Sequence, residues 1–178
     1  PVNFGFLDFS TLEKRHRCCI NELRLNSRLT ADIYLDVVAI SGTHEKPAIA
    51  GGDGVFEYAV KMAQFAQSEQ LDHMLAAGKL KFEDMDAIAR MVADFHQQIE
   101  VADGAMDYGN KDAVYQPVEE NFSQIREHLD TTPYASTRQT LEAWSRSVAD
   151  EQQAGCEQRK REGVVRECLG EMHLRNLV

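Results

Sequence analysis

The amino-acid pattern predicts an α+β protein, in which a helix and a small antiparallel sheet are followed by a mainly helical half. Three observations carry this. A capping signature opens a long helix at Ser10, two β-branched stretches at residues 33–40 and 55–62 flank a segment of turn formers, and from residue 68 onward apolar residues recur at helical spacing. One helix packed on an antiparallel sheet, then a run of helices, implies two unequal lobes joined near residues 62–66, with residues 1–64 in the first and 65–178 in the second.

The first helix is expected over residues 10–29. Ser10-Thr11-Leu12-Glu13 matches a capping box, in which the Ser10 hydroxyl and Glu13 carboxylate satisfy each other's free backbone N–H groups. Leu12, Cys19, Leu23 and Ile20 mark its buried side, with the basic residues elsewhere. Ahead of it, Phe4 and Phe6 alternate as in the tail of a strand. The two β-branched stretches read as a hairpin whose tip holds Pro47 and Gly51-Gly52-Asp53-Gly54. A nucleotide-binding glycine loop needs a lysine and a helix after it; here a strand follows, so these glycines read as a turn.

Helices follow at about 68–77 and 83–98, the second with Met85, Ile88, Val92, Phe95 and Ile99 as a core-facing stripe. His96 lies beside that stripe and reads as a boundary residue. After a loop containing Gly104 and Gly109, a helix is expected from Pro117 to residue 129. Pro133 interrupts it, and a long helix over 136–162 should bury Leu141, Trp144 and Val148 before Gly163 releases the chain into a closing strand and loop.

Bulk properties narrow the function classes. The 178 residues are 43% hydrophobic, enough for a sizeable core, and carry 19 basic against 29 acidic side chains for a net charge of −10. So acidic a chain disfavours nucleic acid and anionic membrane as partners. The run Arg159-Lys160-Arg161 reads as a solvated helix end. Cys18, Cys19, Cys156 and Cys168 show no CxxC spacing. Adjacent side chains diverge by about 100° on a helix, so Cys18 and Cys19 make poor joint ligands for a metal, and a reduced, cytoplasmic protein is expected. No apolar run approaches the roughly 20 residues that span a bilayer, and the N-terminus does not read as a signal peptide. Because the sequence opens on Pro1 rather than Met, further sequence is expected upstream.

The closing stretch carries the chemistry. Phosphoryl transfer uses a carboxylate to orient the attacking hydroxyl, an oxygen ligand for Mg²⁺ and a cation on the phosphates. A kinase catalytic loop sets its carboxylate and its asparagine five positions apart, which is the spacing of Glu171 and Asn176. Leu169-Gly170-Glu171-Met172-His173-Leu174-Arg175-Asn176 resembles the His-Gly-Asp-x-His-x-x-Asn loop of aminoglycoside phosphotransferases. Residues 4–15, Asn21-Glu22-Leu23-Arg24-Leu25-Asn26 and Glu57-Tyr58-Ala59-Val60-Lys61-Met62 are similar to a bacterial group in which an aminoglycoside phosphotransferase-like domain is fused to a P-loop ATPase domain. Essentially the whole chain takes part, with specific motifs at both ends.

The resemblance implies a partial protein-kinase-like fold, ATP and Mg²⁺ as cofactors, and a small-molecule hydroxyl as acceptor. Glu22 would be the helix carboxylate that pairs with the nucleotide-binding lysine, expected just upstream of Pro1. Asn176 would be a Mg²⁺ ligand, Glu171 would stand in the catalytic-base position, and His173 would serve the catalytic loop by bracing it. The chain also departs from the pattern. The family has aspartate where Glu171 stands, and a misplacement of about 1 Å can cost on the order of 10²-fold in rate. Leu169 replaces the leading histidine, Arg175 adds bulk beside Asn176, and the metal-binding aspartate of the next strand would lie beyond Val178. No GxxxxGK occurs, so the fused ATPase domain is not in this chain. The expectation is therefore a fragment or diverged member of this small-molecule kinase group, with little or no turnover. The alternative is a non-catalytic kinase-like module that binds a nucleotide or a partner. Read alone, Glu171, His173 and Asn176 are an ordinary polar turn, and Glu22 a solvated helix residue.

Overall fold

The chain is α+β. A computed structural model describes residues 2–3, 7–49, 52–129, 133–170 and 172–178, without the side chains of 128 and 129. It forms two compact units, residues 1–89 with 169–178, and residues 90–168.

The first unit is built on helix α1, Leu12–Thr30, and a sheet of β1, Tyr34–Thr43, β2, Lys46–Ile49, and β3, Glu57–Met62. The sheet is antiparallel in the order β2-β1-β3, with Gly42 opposite Pro47 and Val37 opposite Val60. The expected two-stranded hairpin is thus three-stranded. Its tight turn falls at 43–46, earlier than the glycine-rich stretch, because Gly42 adopts φ +90° where a Cβ would lie 2.6 Å from the Lys46 carbonyl oxygen. Pro47 is tolerated because β2 is an edge strand. α1 packs on β1 and β3. Its N-cap is Thr11, one residue later than the capping box predicted: Thr11 Oγ1 accepts from the Lys14 N–H at 3.2 Å. The Ser10 N–H is taken instead by Asp8 Oδ1 at 2.8 Å, and Asn3 and Asp8 form an isolated antiparallel bridge. The predicted alternation of Phe4 and Phe6 lies outside the described residues.

A 3-10 turn, Gln67–Glu69, leads into the short helix α2, Leu71–Ala76, and then α3, Phe82–Gln98. The α3 stripe folds as its spacing predicts, with Phe95 buried, Ile88, Val92 and Ile99 half-buried and Met85 at the exposed end.

The second unit contains α4, Lys111–Leu129, α5, Ala135–Glu151, and α6, Gln153–Arg161. α4 begins a turn and a half before Pro117, which lies inside it. The Asn110 carbonyl accepts the Val114 N–H at 3.0 Å, so the helix is under way before the proline removes a donor. The predicted helix over 136–162 divides at Gln152 into α5 and α6. Its predicted buried side is corrected too: Leu141 is 50% and Trp144 63% exposed. α5 turns a charged side inward instead, where Glu142 accepts from Arg126 of α4 and, at 2.9 Å, from the buried Arg138. The closing strand reduces to a single bridge between Val101 and Arg166, reinforced by the Arg166 guanidinium on the carbonyls of Gln97 and Ile99 at 2.9 and 3.2 Å.

Candidate functional site

The sequence-predicted residues fall at two places in the first unit. Glu22 lies on α1 with its side chain exposed. Its carboxylate takes part in no hydrogen bond or ion pair among the described residues, yet its charge reaches the sheet-facing side of the helix. The Cys19 thiol is pushed up by burial and then by the charges of Glu22 and Glu57. Tyr34, at the start of β1, is likewise pushed up by burial and then by Glu22. Glu22 therefore stands at the border between the sheet-facing side of α1 and solvent.

Arg15, Cys19 and Glu22 follow at i, i+4 and i+7, so they share one side of α1. Sequence reasoning placed the basic residues of this helix away from its packed side, and Arg15 corrects that. Arg15 Nε donates to both carboxylate oxygens of Glu57, at 2.9 and 2.8 Å, and Arg15 Nη1 donates to the Phe9 carbonyl at 3.1 Å. Glu57 opens β3 and also accepts its neighbour's backbone N–H, Tyr58 N to Oε1 at 3.1 Å. The Arg15 hydrogen bond holds the Glu57 carboxyl below the usual carboxylate range, against the opposing effect of burial. One residue along each element, the His16 and Tyr58 rings stack with centroids 3.8 Å apart and planes 17° from parallel. The signal for this clamp was present in the helical spacing of Arg15 with Cys19 and Glu22, but nothing local identified Glu57 as the partner.

The second place is the terminal loop, residues 169–178, which belongs to the same unit as α1 and the sheet. Leu174–Asn176 form a 3-10 turn with His173 as its N-cap. His173 Nδ1 accepts the Arg175 N–H at 3.2 Å and the His173 carbonyl accepts the Asn176 N–H at 2.8 Å. This is a bracing geometry: with Nδ1 accepting, a neutral His173 carries its proton on Nε2. Three contacts fasten the turn to the start of α2. The Leu71 N–H reaches the Leu177 carbonyl at 3.1 Å, Gln70 Nε2 the Arg175 carbonyl at 3.1 Å, and the Arg175 side chain stands 3.5 Å from Asp72. Glu171, the expected base, lies outside the described residues.

The Mg²⁺ implied by the resemblance does not fit the described residues as they stand. Asn176 supplies one candidate oxygen, but among the described residues no three His, Cys, Asp or Glu side chains converge where they could hold a metal ion. Hard divalent cations need several oxygen ligands. Among the described residues no helix is long and apolar enough to cross a membrane.

Three mycobacterial proteins are similar to this chain. The uncharacterized proteins Mb2027c of Mycobacterium bovis and MT2060 and Rv2004c of Mycobacterium tuberculosis each share 34% identity over 133 residues, 73% of this chain. The chain spans about a quarter of the length of these curated relatives, since the matched stretch is 24% of each. No family profile and no solved structure matches the chain.

Proposed function

We propose that the chain is part of an ATP-dependent small-molecule phosphotransferase of the aminoglycoside phosphotransferase-like group, acting in the bacterial cytoplasm, and that the chain alone does not turn over. The observation that carries the reading is the return of residues 169–178 to the unit that holds α1 and the sheet. Phosphoryl transfer is mainly a matter of positioning charges around the phosphates. It therefore calls for a loop bearing a carboxylate and an amide in the same unit as the nucleotide-facing helix. Glu22, whose carboxylate has no hydrogen-bond or ion-pair partner among the described residues, suits a lysine supplied by a preceding strand. His173 suits the brace of the loop, and Asn176 an oxygen donor to a metal that other residues would complete. When bound, Mg²⁺ would neutralise phosphate charge; the chain's own residues orient and hold. Four free cysteines are in keeping with a reducing compartment. A fused P-loop ATPase domain in the full-length protein belongs to the same reading, as does a small-molecule hydroxyl acceptor.

A second reading, a non-catalytic kinase-like binding module, is favoured by Leu169 and Glu171 at positions where the family has histidine and aspartate. It is also favoured by Arg175, whose backbone and side chain are both engaged by the start of α2. One experiment separates the two. In the full-length protein, Leu169→His combined with Glu171→Asp should raise Mg²⁺-dependent ATP turnover at least tenfold if an enzyme has decayed here, since one better-placed catalytic group is worth that much or more. ATP that binds and stabilises the protein with turnover unchanged supports the binding module. Absence of any ATP-dependent thermal stabilisation overturns both.

A further inference from the structure

α1 is a long helix none of whose residues is buried. It meets the sheet through half-buried side chains such as Leu12, Cys19 and Leu23, and so smooth a face does little to fix the rotation of a helix about its own axis. Directional contacts do that near the start of this helix. Arg15 grips both oxygens of Glu57, Glu57 is itself held by the Tyr58 N–H, and His16 lies flat on Tyr58, so consecutive residues of the helix engage consecutive residues of β3.

We propose that Arg15, acting through Glu57, is the positioning residue for Glu22. Seven residues separate Arg15 from Glu22, which is two helical turns and about 10 Å along the axis, with the two side chains within about 20° of the same direction. The helix is stiff over that distance, so whatever sets the rotation at Arg15 sets it at Glu22. A roll of about 20° would carry a carboxylate about 6 Å from the axis through about 2 Å, enough to separate it from a cation it should touch. Cys19 sits midway, and its thiol is influenced by both Glu22 and Glu57, as a common face for the three positions requires. The inference rests on the phosphotransferase reading for what Glu22 meets, a lysine beside the nucleotide; that Arg15 orients Glu22 rests on the geometry of α1 and β3.

The test is MgATP affinity, measured calorimetrically on the full-length protein with melting curves to certify folding. Glu22→Gln should weaken binding, and Arg15→Ala should weaken it about tenfold, equivalent to a modest charge misplacement. The charge-exchanged pair Arg15→Glu with Glu57→Arg should recover most of the loss. In the Glu22→Gln background, Arg15→Ala should cost nothing further, whereas a merely structural role would add its own loss. If Glu22→Gln weakens binding and Arg15→Ala does not, or if the two losses add in full, the positioning role is overturned and the phosphotransferase reading stands. If Glu22→Gln leaves the affinity unchanged, or the unaltered protein binds no ATP, the reading fails and takes this proposal with it.

Discussion

Residues 12–62 and residues 111–161 are stretches of equal length that solve the problem of holding helices in place in opposite ways. In the first, a helix lies on a sheet whose backbone ladder fixes three strands, and polar side chains bind it at named points, Arg15 to Glu57 and His16 to Tyr58. In the second, α4 and α5 meet through ionic contacts, Arg126 of α4 and Arg138 of α5 on Glu142, while Leu141, Trp144 and Val114 stay at least half exposed. The exposed apolar residues of α4 and α5 show that an apolar stripe in a sequence says which side of a helix is sticky and not whether anything covers it.

The largest effect expected within the molecule is at Phe95, where the α3 stripe does reach an interior. Phe95 is 7% exposed, and Phe95→Ala should destabilise the chain by about 3–5 kcal/mol in urea unfolding, since removing a buried aromatic loses its transfer energy and leaves a cavity. A loss below about 1 kcal/mol would mean that α3 is no better buried than the outward side of α5, and the contrast between the stretches would collapse.

A smaller effect tests the clamp. Because the folded state lowers the Glu57 carboxyl, the stability it contributes is fully present above the ordinary glutamate range, near pH 4.3, and is lost as pH falls through the lower folded value. The pair is partly exposed, the Glu57 side chain at 37%, so the contribution should be at most about 1 kcal/mol and should shrink with salt. The stability difference between the unaltered chain and Glu57→Gln, followed by urea midpoints, should be greatest near neutrality and vanish once the pH has fallen below the lowered folded value. A difference that persists unchanged into acid would show that Arg15 and Glu57 act by shape rather than charge. The Cys19 thiol gives a related readout. Pushed up by burial first, it should alkylate more slowly than an unburied cysteine at mildly alkaline pH in a Cys18→Ser background, and Arg15→Ala should remove much of that protection.

The elements were legible in the sequence wherever one local rule decided them. The 3.6-residue stripe of α3 and the β-branched runs of β1 and β3 each carried their own signal. Where two regions had to agree, the sequence fell short. The Thr11 cap replaced Ser10 because Asp8, two residues upstream, captured the Ser10 N–H. The third strand escaped notice because Lys46–Ile49 is short and contains a proline. Arg15 was set among solvated basic residues because its partner lies 42 positions away in β3. At the candidate site, spacing named Glu171 and Asn176 and the resemblance named Glu22 and His173, but only the fold shows that the terminal loop is fastened at Leu71 and Gln70. Phosphotransferase chemistry itself was legible only through resemblance, since no local spacing separates a catalytic loop from a polar turn.

The smallest effect expected is at Trp144, and it probes the second stretch most directly. Trp144 is the chain's single tryptophan, so its fluorescence reports on one known place. It lines an apolar cavity of about 270 Å³ with Val114, Val118 and Val148, yet stays 63% exposed. Its emission should resemble that of a hydrated indole and be readily quenched by acrylamide, and Trp144→Ala should change unfolding stability by no more than about 0.5 kcal/mol, as at other surface positions. A blue-shifted, protected tryptophan would mean that something covers this side in solution. Repeating the quenching across a dilution series would then separate association, which weakens on dilution, from closure within one chain, which does not.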